Sequence, residues 1–296
     1  MIGKKIERAE ILMEALPYIK EFYGKTVVIK YGGNAMIDEK IKDEVVQDIV
    51  LMKFVGMNPV IIHGGGPEIN KVLSKLGKTA QFNMGNRVTD YETMEVVEMV
   101  LAGKINKNIV TKLNKFGGKA VGLSGTDANL IVADKKYIEK EGEKVDIGYV
   151  GNVKTINPRM IRILEKEGFI PVISPVGVDE EGKSYNINAD YVAGELAGAL
   201  GAYKFILMTD IAGILKDIED KSSIISEMSL DDAEKLIDSG IISGGMLPKV
   251  DACLTALKKG AERVHIIDGR VRHAILLELF TDDGIGTMIK KADKED

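Results

Sequence analysis

Lys30 closes the apolar run "TVVIKYGG" and is followed at once by Gly32 and Gly33. An ammonium group where a buried strand ends is costly unless an anion meets it, and glycines let backbone N–H groups approach that anion. The plainer alternative is a solvated lysine at an ordinary turn. "IIHGGGPEI" repeats the device, with Gly64, Gly65 and Gly66 after a strand and Pro67 suited to the first turn of a helix. Free amides and a helix N-terminus there make an anion site, and three glycines exceed what a tight turn needs. "ISGGMLPKVDACLTAL" does it again, placing Met246 and then Lys249 at a helix start. "LMTDIAGIL" ends a further strand with Thr209, Asp210 and Gly213. Lysines beside glycine turns in separate parts of the chain point to a polyphosphate held between two lobes. Asp190, in "NINADYVAGELAGAL", has two readings: the cap of a helix beginning near residue 190, or a carboxylate that holds the lysine amines by charge-assisted hydrogen bonds.

One phosphate pattern fails on mechanism. "GVDEEGKS", Gly177 to Ser184, fits G-x-x-x-x-G-K-[ST]. A P-loop needs a helix starting at its Lys-Ser step, whereas "YNINAD" follows, and a helix begins more naturally after Asn188. Asp179, Glu180 and Glu181 would also set three carboxylates beside the incoming phosphates, so the segment reads as a turn. The dinucleotide fingerprint G-x-G-x-x-G is absent, which argues against a nicotinamide-dependent reductase.

The elements that must carry these groups alternate. Strand-length apolar runs, "TVVIKYGG", "NPVIIHGGG", "KAVGLSG", "FIPVISPVG", "KFILMTD" and "RVHIIDG", are separated by amphipathic stretches at 38–55, 90–115, 158–167, 189–200 and 246–259. Most of the runs are apolar throughout, as strands buried on both faces are. The alternation predicts an α/β/α sandwich on a parallel sheet, with ligands at the carboxyl ends of the strands. Residues 130–157 read as antiparallel hairpins, 79–89 as a loop or small hairpin, and 177–184 as a polar seam between lobes. Ahead of the first strand, Ile6, Ala9, Met13, Leu16 and Tyr23 follow helical spacing, with Pro17 predicted to kink or break that helix near residue 16. Such an appendage can fold back on its own domain or pack against another subunit.

Composition narrows the class. The 296 residues are 45% apolar and 29% charged, a globular balance, and the net charge of −5 gives no support to nucleic-acid binding. No apolar run is long enough for a bilayer, and the charged N-terminus does not read as a signal peptide. Cys253, the single cysteine, excludes an intrachain disulfide and a zinc-cysteine cluster, and its helical spacing suits core packing. A reducing cytoplasm fits best.

Taken in order, "VVIKYGG", "VIIHGGGPEI", "GNRVTD", "YNINADYVA", "LMTDIAGIL" and "GGMLPKV" resemble the amino acid kinase family, and within it the branch whose acceptor is N-acetyl-L-glutamate. The likeness runs from Thr26 to Lys290. It implies an open, mainly parallel sheet of about eight strands in a three-layer α/β/α sandwich. Residues 25–180 would form the amino-acid lobe and 181–296 the ATP lobe, with 1–24 as an N-terminal kinked helix for assembly and regulation. It implies transfer of a phosphoryl group from ATP, with Mg²⁺ held mainly by phosphates and water, to the γ-carboxylate of N-acetyl-L-glutamate. Lys30, Lys249 and Asp190 match the catalytic set; Gly65, Gly66, Arg87 and Asn186 the substrate site; and Gly32, Gly33, Gly64, Thr209, Asp210, Gly213 and Met246 the phosphate and nucleotide site. The N-terminal helix together with "HAILLELFTDDGIGTMI" occurs in hexameric relatives inhibited by L-arginine. Tyr18, His265, Glu278 and Gly284 would line that effector site, the alternative for Glu278 being an exposed helix charge. Competing readings are a sister kinase for a carrier-linked aminoadipate or glutamate, and a non-catalytic nucleotide or amino-acid sensor.

Overall fold

The computed structural model describes residues 2–32, 36, 38–140, 142–217, 220, 223–282 and 284–291, so Gly33 lies outside the described residues. Helices α1 (Gly3–Glu14) and α2 (Leu16–Phe22) part at Ala15, and Pro17 sits in the first turn of α2, where its missing N–H removes no helical bond. Strand β1 (Thr26–Tyr31) leads to α3 (Glu39–Phe54), β2 (Asn58–His63), α4 (Gly66–Lys75) and the two-residue strands β3 (Phe82–Asn83) and β4 (Asn86–Arg87). Next, α5 (Tyr91–Glu98) runs through a π-helical turn, Met99–Ile105, into α6 (Asn106–Lys115) and then β5 (Ala120–Ser124). The long hairpin β6 (Ile131–Lys140) and β7 (Glu143–Ile156) precedes α7 (Arg159–Lys166), β8 (Ile170–Ser174), β9 (Val176–Val178) and β10 (Ser184–Asn186). The remainder is α8 (Ala189–Leu200), β11 (Lys204–Thr209), β12 (Glu227–Ser229), α9 (Leu230–Asp238), α10 (Leu247–Lys259), β13 (Arg263–Asp268), α11 (Ala274–Leu279) and β14 (Thr287–Lys290).

Eight strands form one sheet in the order β12-β14-β13-β11-β1-β2-β8-β5. The six apolar runs supply its parallel body, and β14 pairs antiparallel with β13 at one side. Strands β6, β7, β9 and β10 close into a small separate barrel. The turn at 177–184 joins β9 to β10, where Asp179 Oδ1 accepts from the amides of Glu181 and Lys183 at 3.0 and 2.9 Å. Lys183 Nζ lies 4.7 Å over the Tyr149 ring, so this lysine is folded onto a tyrosine rather than presented at a helix start.

Strand alternation decides where the chemistry points. Val27, Ile29 and Tyr31 enter one core with Val46, Ile49 and Leu113 of α3 and α6. Val28 enters the other, with Val192 and Leu196 of α8 and Val250 and Leu257 of α10. Lys30 has the parity of Val28 and therefore faces α8 and α10. Those two helices touch closely because α8 carries glycine at the contact: a Cβ on Gly194 would sit 2.3 Å from the Ala252 carbonyl oxygen. Cys253 is fully buried in this same core.

Candidate active site

The closeness of α8 and α10 brings their first turns together beneath the end of β1. Asp190 Oδ1 meets Lys30 Nζ at 2.9 Å, an ion pair whose angle falls outside hydrogen-bond geometry, and Oδ2 accepts from Lys249 Nζ at 3.4 Å. Burial alone would raise the Asp190 carboxyl, but the two ammonium groups outweigh it and hold it below its usual value. Asp190 does not cap its helix. Asn188 does, its side chain accepting from the Asp190 amide at 2.8 Å, which leaves the Asp190 carboxylate for the lysines. Gly32 gives the Lys30 amine its room, since a Cβ there would lie 2.7 Å from Nζ.

Lys30 and Asp190 stand in the wall of a cavity of about 1040 Å³ that also takes in Gly64, Gly65, Gly66 and Asn186. Arg87 lines it as well and is 8% exposed. Its guanidinium lies 4.8 Å over the Phe82 ring, and Nη2 donates to the Gly66 carbonyl at 3.2 Å. Nη1 is buried and has no partner among the described residues. Burial pushes the arginine below its ordinary value, and a buried guanidinium nitrogen without an acceptor is an expensive arrangement. A carboxylate arriving in the cavity would satisfy it. Asn186 Nδ2 donates to Thr89 Oγ1 at 3.4 Å, and that hydroxyl donates to the Arg87 carbonyl at 2.8 Å, so arginine and asparagine are positioned as one unit. Sequence reasoning passed over Thr89, whose signal was only its place in "NRVTD".

The remaining candidates lie apart from this cavity. Thr209 is buried at the end of β11, its hydroxyl donating to Asp210 Oδ1 at 3.3 Å. Gly213 has φ +156°, and a Cβ there would press the Thr287 hydroxyl at 2.6 Å. Met246 ends the short turn Gly244–Met246 that starts α10. The structure therefore brings the catalytic and substrate candidates together and leaves Thr209, Asp210, Gly213 and Met246 on the neighbouring strand and helix ends.

A second cluster gathers beside α2. His265 Nδ1 donates to Glu278 Oε1 at 2.5 Å, and Glu278 Oε2 accepts from the Ile285 amide at 2.9 Å. Glu278 is 7% exposed, which overturns its reading as an exposed helix charge. Burial would raise its carboxyl, yet the imidazole, the Ile285 amide and Lys204 hold it below the usual range. Burial keeps His265 below its ordinary value, so a neutral ring donates to an ionised acid. Gly284, at φ +60°, turns the chain against that acid, and Tyr18 donates to Asp282 two residues earlier and packs edge-on to Phe280.

Glycine turns at the strand ends of such a sheet, with one lysine closing β1 and another in the first turn of α10 paired on one carboxylate, define an α/β/α enzyme with a site suited to an anion. Residues 25–268 match the amino acid kinase family, and the chain belongs to it. It is 58% identical to the acetylglutamate kinase of Pelotomaculum thermopropionicum, over 96% of this chain and 98% of that one. To the acetylglutamate kinase of Methanocaldococcus jannaschii it is 55% identical, over 97% of each. Among solved structures, N-acetylglutamate synthase from Neisseria gonorrhoeae, complexed with coenzyme A and N-acetyl-glutamate, superposes with a TM-score of 0.82 at 24% identity. That match covers 96% of this chain and 64% of the synthase. Carbamate kinase from Giardia lamblia bound to AMP-PNP gives 0.65 at 18% identity, over 90% of this chain and 99% of that one. These two likenesses concern the fold. Among the described residues no helix is long and apolar enough to cross a membrane.

Proposed function

We propose that the chain transfers the terminal phosphoryl group of ATP to the γ-carboxylate of N-acetyl-L-glutamate, forming N-acetyl-L-glutamyl 5-phosphate in the second step of arginine synthesis through acetylated intermediates. The observation that carries this reading is the pairing of two amines on Asp190 in the wall of a cavity where Arg87 Nη1 has no acceptor among the described residues. Relatives named acetylglutamate kinase, matched over nearly their whole length, support the choice of acceptor.

A carboxylate with a reference pKa of about 4.3 is already ionised at neutral pH, so no base has to take a proton from it. None of the three histidines faces the cavity: His63 is held on the Gly64 carbonyl, His265 on Glu278 and His273 on Asp48. A γ-carboxylate oxygen bonds to the terminal phosphorus as the bond to the bridging oxygen of ADP breaks, and the electron pair leaves with ADP. The difficulty is bringing anion to anion, so rate comes from positioning and charge neutralisation. Lys30 would meet the transferring group and Lys249 the nucleotide side, with Asp190 aiming both. Amides of Gly33 and Gly65 would complete the cradle, with Gly32 and Gly64 shaping its turns, the Gly64 amide itself donating to Tyr31 O. Arg87 would take the α-carboxylate, Gly66 would bind the reacting end, and Asn186 would hydrogen-bond near the α-substituents. Thr209, Asp210, Gly213 and Met246 would hold the nucleotide. Both Asp190 oxygens are engaged by amines, so Mg²⁺ fits as an ion carried by the phosphates and water, where it would neutralise charge.

Arg87→Lys is expected to raise KM for the acyl amino acid by about 10–100-fold, with kcat changing less, because a point charge replaces a two-pronged donor. Steady-state kinetics check it, and an unchanged KM removes Arg87 from the substrate site. A coupled ADP-release assay comparing N-acetyl-L-glutamate with a carrier-linked aminoadipate decides between the proposed acceptor and that of the sister kinases. For regulation, the assembled Tyr18, His265, Glu278 and Gly284 cluster and the exposed Ile6, Ile11, Leu12 and Met13 of α1 support feedback inhibition by L-arginine in a hexamer, a trimer of dimers joined through the N-terminal helices. Light scattering and inhibition assays on the full chain and on a variant lacking residues 1–23 test this. The full chain should be hexameric and arginine-sensitive and the variant neither; a full chain that is dimeric and indifferent to arginine rejects it.

A further inference from the structure

His63 is wholly buried at the end of β2, immediately before Gly64, and the mechanism above uses it for nothing. Its ring touches two groups: Nδ1 lies 3.0 Å from the Gly64 carbonyl oxygen, and Nε2 lies 3.3 Å from Asn106 Nδ2. The orientation of Asn106 is fixed by its other neighbours. Its Nδ2 faces the carbonyl oxygens of Val172 and Leu123 at 2.9 and 3.3 Å, which can only accept, and its Oδ1 faces Lys107 Nζ at 3.3 Å, which can only donate. The Asn106 amide nitrogen shares its two N–H groups among three acceptors and offers His63 no acceptor, while the Gly64 carbonyl can only accept from Nδ1, so Nδ1 carries the proton and Nε2 is the bare nitrogen. Burial pushes His63 down to about 4, with Lys107 adding to the effect, and the ring is neutral where the enzyme works.

We propose that His63 is a positioning residue for phosphoryl transfer: its neutral ring, with the proton set on Nδ1 by Asn106, anchors the Gly64 carbonyl so that the opposite edge of the same peptide, the Gly65 N–H, faces the reacting oxygens. This rests on the function proposed above. A trans peptide holds its C=O and N–H on opposite sides, and the chain has no cis bonds among its described residues. The other bonds of the turn agree. The Gly64 amide donates to Tyr31 O at 2.9 Å and the Gly65 carbonyl accepts from the Ile69 amide at 3.0 Å. What is left toward the cavity is the amide edge, where the helix N-terminus leaves N–H groups without intrahelical partners. The π-helical turn before α6 is part of the device. Each residue turns a helix by about 100°, so the extra residue of a π-turn changes which face follows it, and Asn106 enters the core. Gly122 makes room, since a Cβ there would lie 1.9 Å from Asn106 Oδ1.

The first test is nitrogen NMR on the full chain labelled at its histidines. His63 should show a protonated Nδ1 and a bare Nε2 throughout pH 6–9, and the opposite tautomer or an imidazolium would overturn the proposal. The second is kinetic. His63→Phe, which fills the space without a donor, should lower kcat by about 10–100-fold, the scale of misplacing one transition-state donor, with both KM values within about threefold. His63→Asn puts an amide nitrogen near the Nδ1 position and should recover most of that loss. A filler of core space would change thermal stability and leave kcat per folded molecule alone. Wild-type kcat in folded His63→Phe, or no recovery in folded His63→Asn, sinks the idea; if neither variant folds, the NMR tautomer decides. A wild-type chain that does not turn over N-acetyl-L-glutamate would instead sink the substrate assignment.

Discussion

Lys30→Ala is expected to lower kcat by about 10²–10³-fold, the scale for removing one donor from a developing charge, while KM for the acyl amino acid changes far less. Lys249→Ala should fall in the same range, because the amines approach Asp190 from different elements, the end of β1 and the first turn of α10, and neither reaches the other's place. The three side chains together carry one net positive charge, which an incoming phosphate would neutralise. Lys183→Ala is the control. Its amine lies over Tyr149 in the β9–β10 turn, and its loss should leave kcat within about twofold, as surface changes away from a site usually do. Steady-state assays with purified variants check all three. A crippled Lys183→Ala beside an active Lys30→Ala would return the P-loop reading to the turn at 177–184.

Asp190→Ala is expected to abolish measurable turnover and also to destabilise the unliganded protein by about 3–5 kcal/mol, the cost of leaving a buried charge without its partner. Lys30 is only 8% exposed and would lose its one counter-ion among the described residues, whereas Lys249 is freer to reach water. The pH dependence follows from the depressed Asp190 carboxyl. A group held below its unfolded value of about 3.9 contributes stability fully above that pH and loses it as the pH falls through the folded value. Denaturant melts of wild type and Asp190→Ala should therefore differ by a constant amount from pH 5 to 8 and converge only as the pH falls below the carboxyl's ordinary value. A gap that widened on acidification would show that the amines do not hold the carboxylate. ATP should recover part of the lost stability, since a polyphosphate re-pairs the amines and binds only the folded chain.

Much of this could be read from residue order because the parallel body of the sheet is made of strands apolar on both faces. Such runs leave little room for another assignment, and all six pair as anticipated. The two outermost strands on one side, β12 at the edge and β14 inside it, were missed: "EMS" and "TMIK" are short and part polar, and only their neighbours give them their hydrogen bonds. The π-turn at Met99–Ile105 was invisible for another reason. Helical spacing of apolar residues hardly distinguishes a single wide turn, although the hydrogen-bond ladder does. Asp190 could be narrowed to two roles but not decided, because choosing between cap and counter-ion required knowing that Asn188 takes the cap. For Glu278 an exposed helix charge stayed open beside the effector role, since its partner His265 lies on β13 and not on its own helix α11, and a helix-to-strand contact leaves no trace in local spacing. His63 escaped notice altogether. A histidine inside an apolar strand, directly ahead of three glycines, was the signal available.

The pairing of β1 with β11 has a mechanical consequence. Val27, Val28, Ile29 and Lys30 register with Lys204, Phe205, Ile206 and Leu207, so the halves that would carry acceptor and donor are stitched by backbone bonds and not by a tether. Neither half can swing like a door without tearing that seam. Relative movement of the halves is therefore expected as torsion of the shared sheet, with loops and the helix carrying Lys249 free to adjust above it.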